Sequence, residues 1–556
     1  MAVELPARRP KDTAVATSIS INAPVSLTAR RFTRAADGIA WPRLTVRVLE
    51  ILPGALALML ISTLVWGYLF FPKTLAVGLL VFDVYWLWKS WTIGYHVMKG
   101  VRMLKHQQGR NWRVEHAALV ARGEPVLPWD GIRHVVVIPN YKETEQKLRD
   151  TLSQMAKTDG AREKVIPVLA MEEAEPGAAG KADLLTAEFR DSFYKFIVTF
   201  HPYGLIGEVR GKSSNQAWAA NEAYDELVER GGLDLDHLTI TSCDADTLFP
   251  PQYFDALAYF FATEPQRYRR FWQAPIFFYN NIWQVPAPLR VPNALSGLIH
   301  LSRLTRSRKV LFSQSTYSLS MRMAHEVGYW DTDIIPEDWH MFLKCYYQLG
   351  GEVDVEPIHL PVGNDGALSH GVRATYVNQY LQVQRWAWGA SDIPYAFQEA
   401  SRHPEIPWHK RYLRLWYFFE NHLMWSTQWF FITLGGLIPS VYGYFKTGED
   451  SLTPQWFSLE QAFDLTFLPG WLAARVTIPA LILTPCLIPY AILLISDWRM
   501  RPKAPTGFGR MSQLFSHLCW LLISPITFLF SALPALDSQM RLMLGKRMEY
   551  RVTEKV

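Results

Sequence analysis

Cysteine is scarce in this chain. There are four, Cys243, Cys345, Cys486 and Cys519, far apart and without CxxC or CxxH spacing. That leaves no basis for a disulfide framework or a zinc site, and it suits a reducing compartment. Charge of one sign is also lacking: the net value is only +5 over 556 residues, and no Lys/Arg stripe alternates with aromatics. Nucleic acid is therefore not an expected partner. Residues 1–43 lack the apolar core of a signal peptide and are rich in Ala, Ser, Thr and Arg, so they read as a disordered cytoplasmic tail with Arg8-Arg9 as a solvated pair.

Apolar and aromatic residues are abundant, at 49% and 14%, and they concentrate near the N-terminus and in the last third. Within residues 44–98, Leu44 to Phe71 and Thr74 to Met98 each have the roughly 20 residues that a helix needs to cross a bilayer. Basic residues before the first and after the second, from Lys99 to Arg113, put both flanks on the cytoplasmic side. Residues 412–533 hold further spans, Tyr412 to Phe445 and Trp471 to Ile495, around an acidic outer loop from Lys446 to Leu468. A last apolar segment, Leu514 to Leu533, is interrupted by Pro525 and reads as broken or re-entrant, with a cytoplasmic tail over 534–556. Asp83, Lys89, Glu420, Asn421 and His422 are costly in lipid, so they are expected to face protein or a hydrated path, or else to lie near the interface or pair with one another.

Between the membrane segments the sequence alternates strand-like and helix-like stretches. Val135 to Ile138, Val165 to Met171, Phe196 to Phe200 and Leu238 to Thr241 read as buried strands, with helices over Lys142 to Lys157 and Ser213 to Arg230. This rhythm predicts a doubly wound, mostly parallel α/β sheet over 99–293, inserted between transmembrane helices. The last of those strands stops at Asp244 and Asp246, where such sheets bind ligands. Two carboxylates there can share Mg²⁺ or Mn²⁺ with substrate phosphates, or simply open a turn before Pro250-Pro251. In residues 294–411, Leu295, Leu298, Ile299, Ser302 and Leu304 share one face of a helix, either an amphipathic interface helix or an ordinary core helix.

Three more stretches carry chemistry. In VIPNYKE, Tyr141 and Glu143 can meet a base and a ribose, unless the stretch is only a strand-to-helix turn. In IIPEDWHMFLK, Glu337 and Asp338 occupy a first helical turn, where acids also serve the helix dipole. In QVQRW, Gln382, Arg385 and Trp386 share a face, so that the arginine can clamp a diphosphate and the tryptophan can stack on a sugar.

Taken in order, Pro139-Asn140-Tyr141-Lys142-Glu143, Gly211-Lys212-Ser213-Ser214-Asn215, Asp244-Ala245-Asp246, Pro336-Glu337-Asp338 and Gln382-Val383-Gln384-Arg385-Trp386 resemble the motifs of membrane-integrated family 2 glycosyltransferases. That group contains the cellulose, chitin and hyaluronan synthases. The resemblance covers roughly residues 130 to 390 and implies a GT-A-type cytoplasmic domain at the plasma (inner) membrane. It further implies a metal-dependent, inverting transfer of a sugar from a nucleoside diphosphate donor, UDP by family precedent, to a growing glycan. By resemblance Asp246, with Asp244, holds the Mg²⁺ or Mn²⁺, Lys212 lies near the nucleotide, and Asp338 of the catalytic Glu337-Asp338 pair is the base. Gln382 and Arg385 then position the diphosphate and Trp386 faces the acceptor, where His340 also lies unless it is a satisfied structural histidine, which ranks it below the others. The chain departs from the family in having Glu172 or Glu173 for the second-strand aspartate, Pro336 for a threonine and Lys142-Glu143 for Asn-Glu. The tail YRVTEK, Tyr550 to Lys555, resembles a short family tail, and family precedent also makes a polymer channel through the membrane helices an expectation. QxxRW favours chain extension. The alternatives are a single addition to a lipid or glycan acceptor, and a transporter or scaffold that only binds nucleotide.

Overall fold

A computed structural model describes residues 33–35, 41–435, 478–548 and 553. The expectations for the first 32 residues, the acidic loop and most of the YRVTEK tail fall outside these. Val135 to Ile138 form the centre of β1 (Arg133–Pro139) and are fully buried. A β-branched run without polar alternation suits a parallel strand covered on both faces. In parallel, β1 pairs with β2 (Val165–Glu172) and β4 (Leu238–Ser242), and β2 pairs with β3 (Ile197–His201).

The sheet is completed by β5 (Arg270–Gln273), β7 (Tyr317–Ser320) and β8 (Asp354–Pro357), while β6 (Ile276–Phe277) and β9 (Val362–Gly363) form a small second sheet. The seven strands run β3-β2-β1-β4-β7-β5-β8. This is the expected doubly wound, mostly parallel sheet, with one difference: β7 lies antiparallel to β4 and to β5. Its four residues YSLS are too short and too polar to stand out as a buried strand. Separate apolar cores fill the two faces of the sheet.

The helices that position the site are α1 (Arg43–Phe70), α2 (Pro72–Gln108), α3 (Lys212–Tyr224), α4 (Ala287–Leu304), α5 (Glu337–Gln348), α6 (Val372–Ala387), α7 (Trp408–Leu434), α8 (Ile478–Met500) and α9 (Arg510–Met543). Among the described residues three of them, α1, α8 and α9, are long and apolar enough to cross a membrane. Helices α2 and α7 have the length, 37 and 27 residues, but carry more polar side chains.

Helix α4 is buried along most of its length, pressed between α2 and β6. A Cβ on Gly100 of α2 would come within 2.5 Å of Leu301, and one on Gly297 within 2.5 Å of Phe277. Small residues let the helix approach closely on both sides, so α4 is a core helix as well as an amphipathic one. Helix α9 is interrupted at Phe530, whose φ of −117° and ψ of 15° leave the helical region. Just before its start, Trp283 of the sheet domain donates to the Pro502 carbonyl (3.0 Å); near its end, Tyr380 of α6 donates to Asp537 (3.2 Å). Both ends of α9 therefore touch the part of the chain between the membrane segments. Arg47 at the start of α1 donates to the last carbonyls of α9, at Leu542 (2.8 Å) and Met543 (2.5 Å), so α1 and the end of α9 pack antiparallel.

Candidate active site

Strand β4 ends at Ser242, and the chain turns so that Asp244 and Asp246 stand at the carboxyl edge of the sheet. The Asp244 carboxylate accepts from Lys212 Nζ (2.9 Å), Ser315 Oγ (2.7 Å) and Asn364 Nδ2 (3.2 Å). Asp246 accepts from the Asp365 backbone N–H (2.7 Å), and its own carbonyl accepts from Asn280 (3.1 Å). Lys147 is ion-paired with Asp365, which offsets that third acid.

Lys212, in the first turn of α3, is largely buried and bridges two motifs. Its ammonium lies 2.9 Å from Asp244 and 2.8 Å from Glu337. Burial opposes its charge, but the two carboxylates overcome that and raise its pKa. Burial pushes Glu337 up to about 6, against the pull of Lys212, and its second oxygen accepts from Tyr317 Oη (2.8 Å).

Asp338 follows at the N-terminus of α5. Its oxygens accept from the backbone N–H groups of Ser315 (3.1 Å) and Trp339 (2.9 Å). Burial raises its pKa, and these N–H groups pull the other way. Ser315 therefore joins Asp244, through its hydroxyl, to Asp338, through its backbone. Its φ of +46° lies in the left-handed region and aims the two groups in different directions. No sequence motif marks Ser315, Asn364 or Asp365.

One cavity of about 1310 Å³ collects these groups with the others expected from sequence. Tyr141, Glu143, Glu172, Gln382, Arg385 and Trp386 line it together with Lys212, Asp244, Asp246, Glu337 and Asp338. The Tyr141 ring faces Arg210, whose guanidinium also lies 4.6 Å from the Tyr203 ring. Glu172, not Glu173, reaches the cavity, and His201 sits between it (3.2 Å) and Glu208 (3.0 Å). These two carboxylates overcome burial and bring His201 up to about 9. The Gln382 side-chain oxygen is buried without a hydrogen-bond partner. Arg385 donates to Thr553 (3.2 Å), so one residue of the C-terminal tail reaches the cavity.

Of the two places open to His340 from sequence, it takes the structural one and not the acceptor side. It is absent from the cavity wall and lies buried between Asp331 (2.9 Å) and Asp392 (3.3 Å). Burial works against its charge, and the two aspartates override it to about 10. The reason is helical geometry: Asp338 and His340 are two residues apart on α5 and cannot share a face. His340→Asn should leave two buried acids short of a cation and cost ~3–5 kcal/mol. Because its folded pKa lies above the ordinary 6.5, its contribution is full below about pH 6.5 and is lost as pH rises through about 10. Thermal melts of both proteins from pH 6 to pH 10.5 test this. Their difference should shrink at the alkaline end.

Among the described residues no group of three or more His, Cys, Asp or Glu side chains converges as a ready-made metal site. The donor set nevertheless fits Mg²⁺ or Mn²⁺, which take one or two carboxylates and complete their shell with phosphates and water. Asp246 and Asp244 offer those oxygens at the cavity wall.

Residues 239–495 match the family model described as Glycosyl transferase family group 2. The matched stretch contains Asp244, Asp246, Glu337, Asp338, Gln382 and Arg385; Tyr141, Glu143, Glu172 and Lys212 precede it. No curated protein matches the chain. Solved structures similar to it include the mannosyltransferase PcManGT from Pyrobaculum calidifontis, in complex with GDP-Man and Mn²⁺, at 16% identity over 76% of this chain and 99% of that one, TM-score 0.38. GalNAc-T7 with UDP, GalNAc and Mn²⁺ is 14% identical over 56% and 58%, TM-score 0.29. TarS from S. aureus is 11% identical over 68% and 57%, TM-score 0.29.

Proposed function

From the family 2 glycosyltransferase domain matched over residues 239–495, we propose that this chain moves a sugar from a nucleoside diphosphate to an acceptor that approaches from the membrane side, with inversion at C1. The observation that carries the reading is the single cavity in which Asp244, Asp246, Asp338 and Arg385 meet. Their residue types match the three tasks of the transfer: holding a charged diphosphate, easing its departure and deprotonating the acceptor.

Arg385 clamps the diphosphate through its guanidinium, and Gln382 offers its unpartnered oxygen to the same region. Lys212 holds Asp244 and Glu337 in place and keeps a positive charge near the leaving group. Tyr141 stacks on the nucleobase beside Arg210, and Glu143 takes the ribose. Glu172, fixed by His201, reads the base edge. A divalent ion on Asp246 and Asp244 would supply further charge neutralisation to the departing diphosphate. Asp338 takes the acceptor hydroxyl proton. Burial raises its pKa, which makes it a better base than an exposed aspartate. Trp386, whose ring lies 5.5 Å from Phe278, stacks on the acceptor sugar.

Behind the site the cavity continues between α2, α7, α8 and α9, past Trp86, Trp429 and Tyr490. This suits a glycan leaving through the membrane helices, as in a polysaccharide synthase, with the catalytic domain in the cytoplasm beneath the inner membrane. The second reading, a single addition to a membrane acceptor, is favoured by Lys89, Arg303 and Arg306, three basic residues that line the same cavity.

Purified protein in detergent or vesicles, given radiolabelled nucleotide sugars with Mg²⁺ or Mn²⁺, should release free nucleoside diphosphate and label an acceptor. Product size separates chain extension from single addition. Asp246→Asn should lose at least ~10²-fold in rate and its response to added metal, in line with the loss of a preorganised charge-stabilising group. A metal-stimulated rate retained in that variant contradicts the assignment, and no nucleotide release from any donor returns the chain to a transporter or scaffold.

A further inference from the structure

We propose that the membrane-side end of the cavity is a subsite for the phosphate of a lipid-linked acceptor, held by Lys89, Arg303 and Arg306. The proposal rests on the transferase reading and names the acceptor chemistry. Lys89 comes from α2, Arg303 from the last turn of α4, and Arg306 from just beyond it; all three line the cavity, as do Glu420, Asn421 and His422 of α7. Glu420 pairs with Lys89 (2.7 Å), and Arg303 donates to the Asn421 side-chain oxygen (2.7 Å). Arg306 is different. Its Nε is buried without a hydrogen-bond partner, and the same is true of both ring nitrogens of His422.

Three cations therefore face one carboxylate in a space largely closed to water. Charges so placed are costly unless an anion offsets them. A phosphate is the anion that guanidinium groups hold with two parallel hydrogen bonds.

The depth and the surroundings point to a lipid-borne phosphate. Lys89 is 17 residues from Pro72 at the start of α2, ~25 Å along the helix at 1.5 Å per residue. In a hydrocarbon layer of about 30 Å, that is close to the headgroups of the far leaflet. The apolar wall of the same cavity includes Leu487 of α8 and Leu521 of α9, which are 62% and 77% exposed. A path lined by apolar side chains thus leads from the cations to the membrane-facing side, which fits a hydrocarbon tail and does not fit an acidic glycan.

The cluster also connects to the chemistry. The His422 ring lies 5.7 Å from that of Trp339, the residue after Asp338. With the lipid phosphate at the cations, the sugar it carries extends toward the base. A hydroxyl oxygen of that sugar bonds to the donor C1. The C1–O bond to the diphosphate breaks, the diphosphate leaves with the electron pair, and Asp338 takes the hydroxyl proton. The lipid phosphate is unchanged.

The test uses the full chain in nanodiscs of uncharged lipid and two acceptor probes, a polyprenyl monophosphoryl sugar and an alkyl glycoside of the same sugar. Binding is followed by quenching of the cavity tryptophans and transfer by labelled product. The phosphorylated probe should bind and react at least ~10-fold better, and Arg306→Gln should raise both its Kd and its KM by ~10-fold, the loss of one charged hydrogen-bonding partner. Arg306→Lys should recover part of this. Arg308→Gln, which removes a surface pair with Glu356 outside the cavity, should not change either value. Equal use of both probes, an unaltered Kd in Arg306→Gln, or displacement of the probe by phosphatidylglycerol at equal concentration overturns the proposal; so does displacement by inorganic phosphate at that concentration. Nucleoside diphosphate release in the same reactions separates the two levels. If it continues with the uncharged probe, only the acceptor assignment falls; if no donor turns over at all, the transferase reading falls with it.

Discussion

Asp338→Asn should bind the nucleotide sugar as tightly as the unaltered protein and transfer sugar ~10²- to 10⁴-fold more slowly, a loss of ~3–5 kcal/mol of transition-state stabilisation. The amide keeps a carbonyl oxygen for the Ser315 N–H, so the turn that also serves Asp244 stays in place. What disappears is a proton acceptor in a half-buried position at the cavity wall whose pKa is already raised. Equilibrium binding of labelled donor, together with single-turnover transfer, separates the two effects. Near-normal turnover in the variant removes Asp338 from the base role.

Lys212→Met acts on the scaffold of the same site. Removing the ammonium leaves Asp244 and Glu337 facing each other without the cation that now lies 2.9 and 2.8 Å from them. Breaking a buried ion pair in this way costs ~3–5 kcal/mol, because the remaining charges are uncompensated. A large fall in thermal stability is expected, followed by tryptophan fluorescence in detergent, and Glu337→Gln in the same chain should restore part of it. Restoration is the diagnostic outcome, since simple loss of lysine packing would not respond to neutralising Glu337.

Much of this arrangement is legible in the sequence. Val135 to Ile138 announce a buried parallel strand because nothing polar interrupts them, Leu238 to Thr241 do so through their β-branched residues, and the Asp-Ala-Asp that follows lands where such strands end. Helical spacing likewise places Gln382, Arg385 and Trp386 on one cavity wall. Other parts depend on contacts between distant segments. Strand β7 is recognisable only by its pairing with β4 and β5, which reverses its direction against the parallel rhythm. Ser315 becomes functional through a left-handed backbone angle that serine does not advertise. For His340 the sequence leaves an acceptor-side and a structural place open, and Asp331 and Asp392, from either side in sequence, draw it into the core. The polar residues of the membrane helices are the mixed case. Lys89 and Glu420 pair with each other, and both also line the cavity.

The most direct measurement is a cryo-electron microscopy map of the protein with Mn²⁺ and a non-hydrolysable nucleotide sugar. The account predicts density for the diphosphate between Asp246 and Arg385, the base beside Tyr141, and the sugar C1 turned toward Asp338. Density for the nucleotide elsewhere in the molecule, or a sugar whose C1 faces away from Asp338, would contradict it.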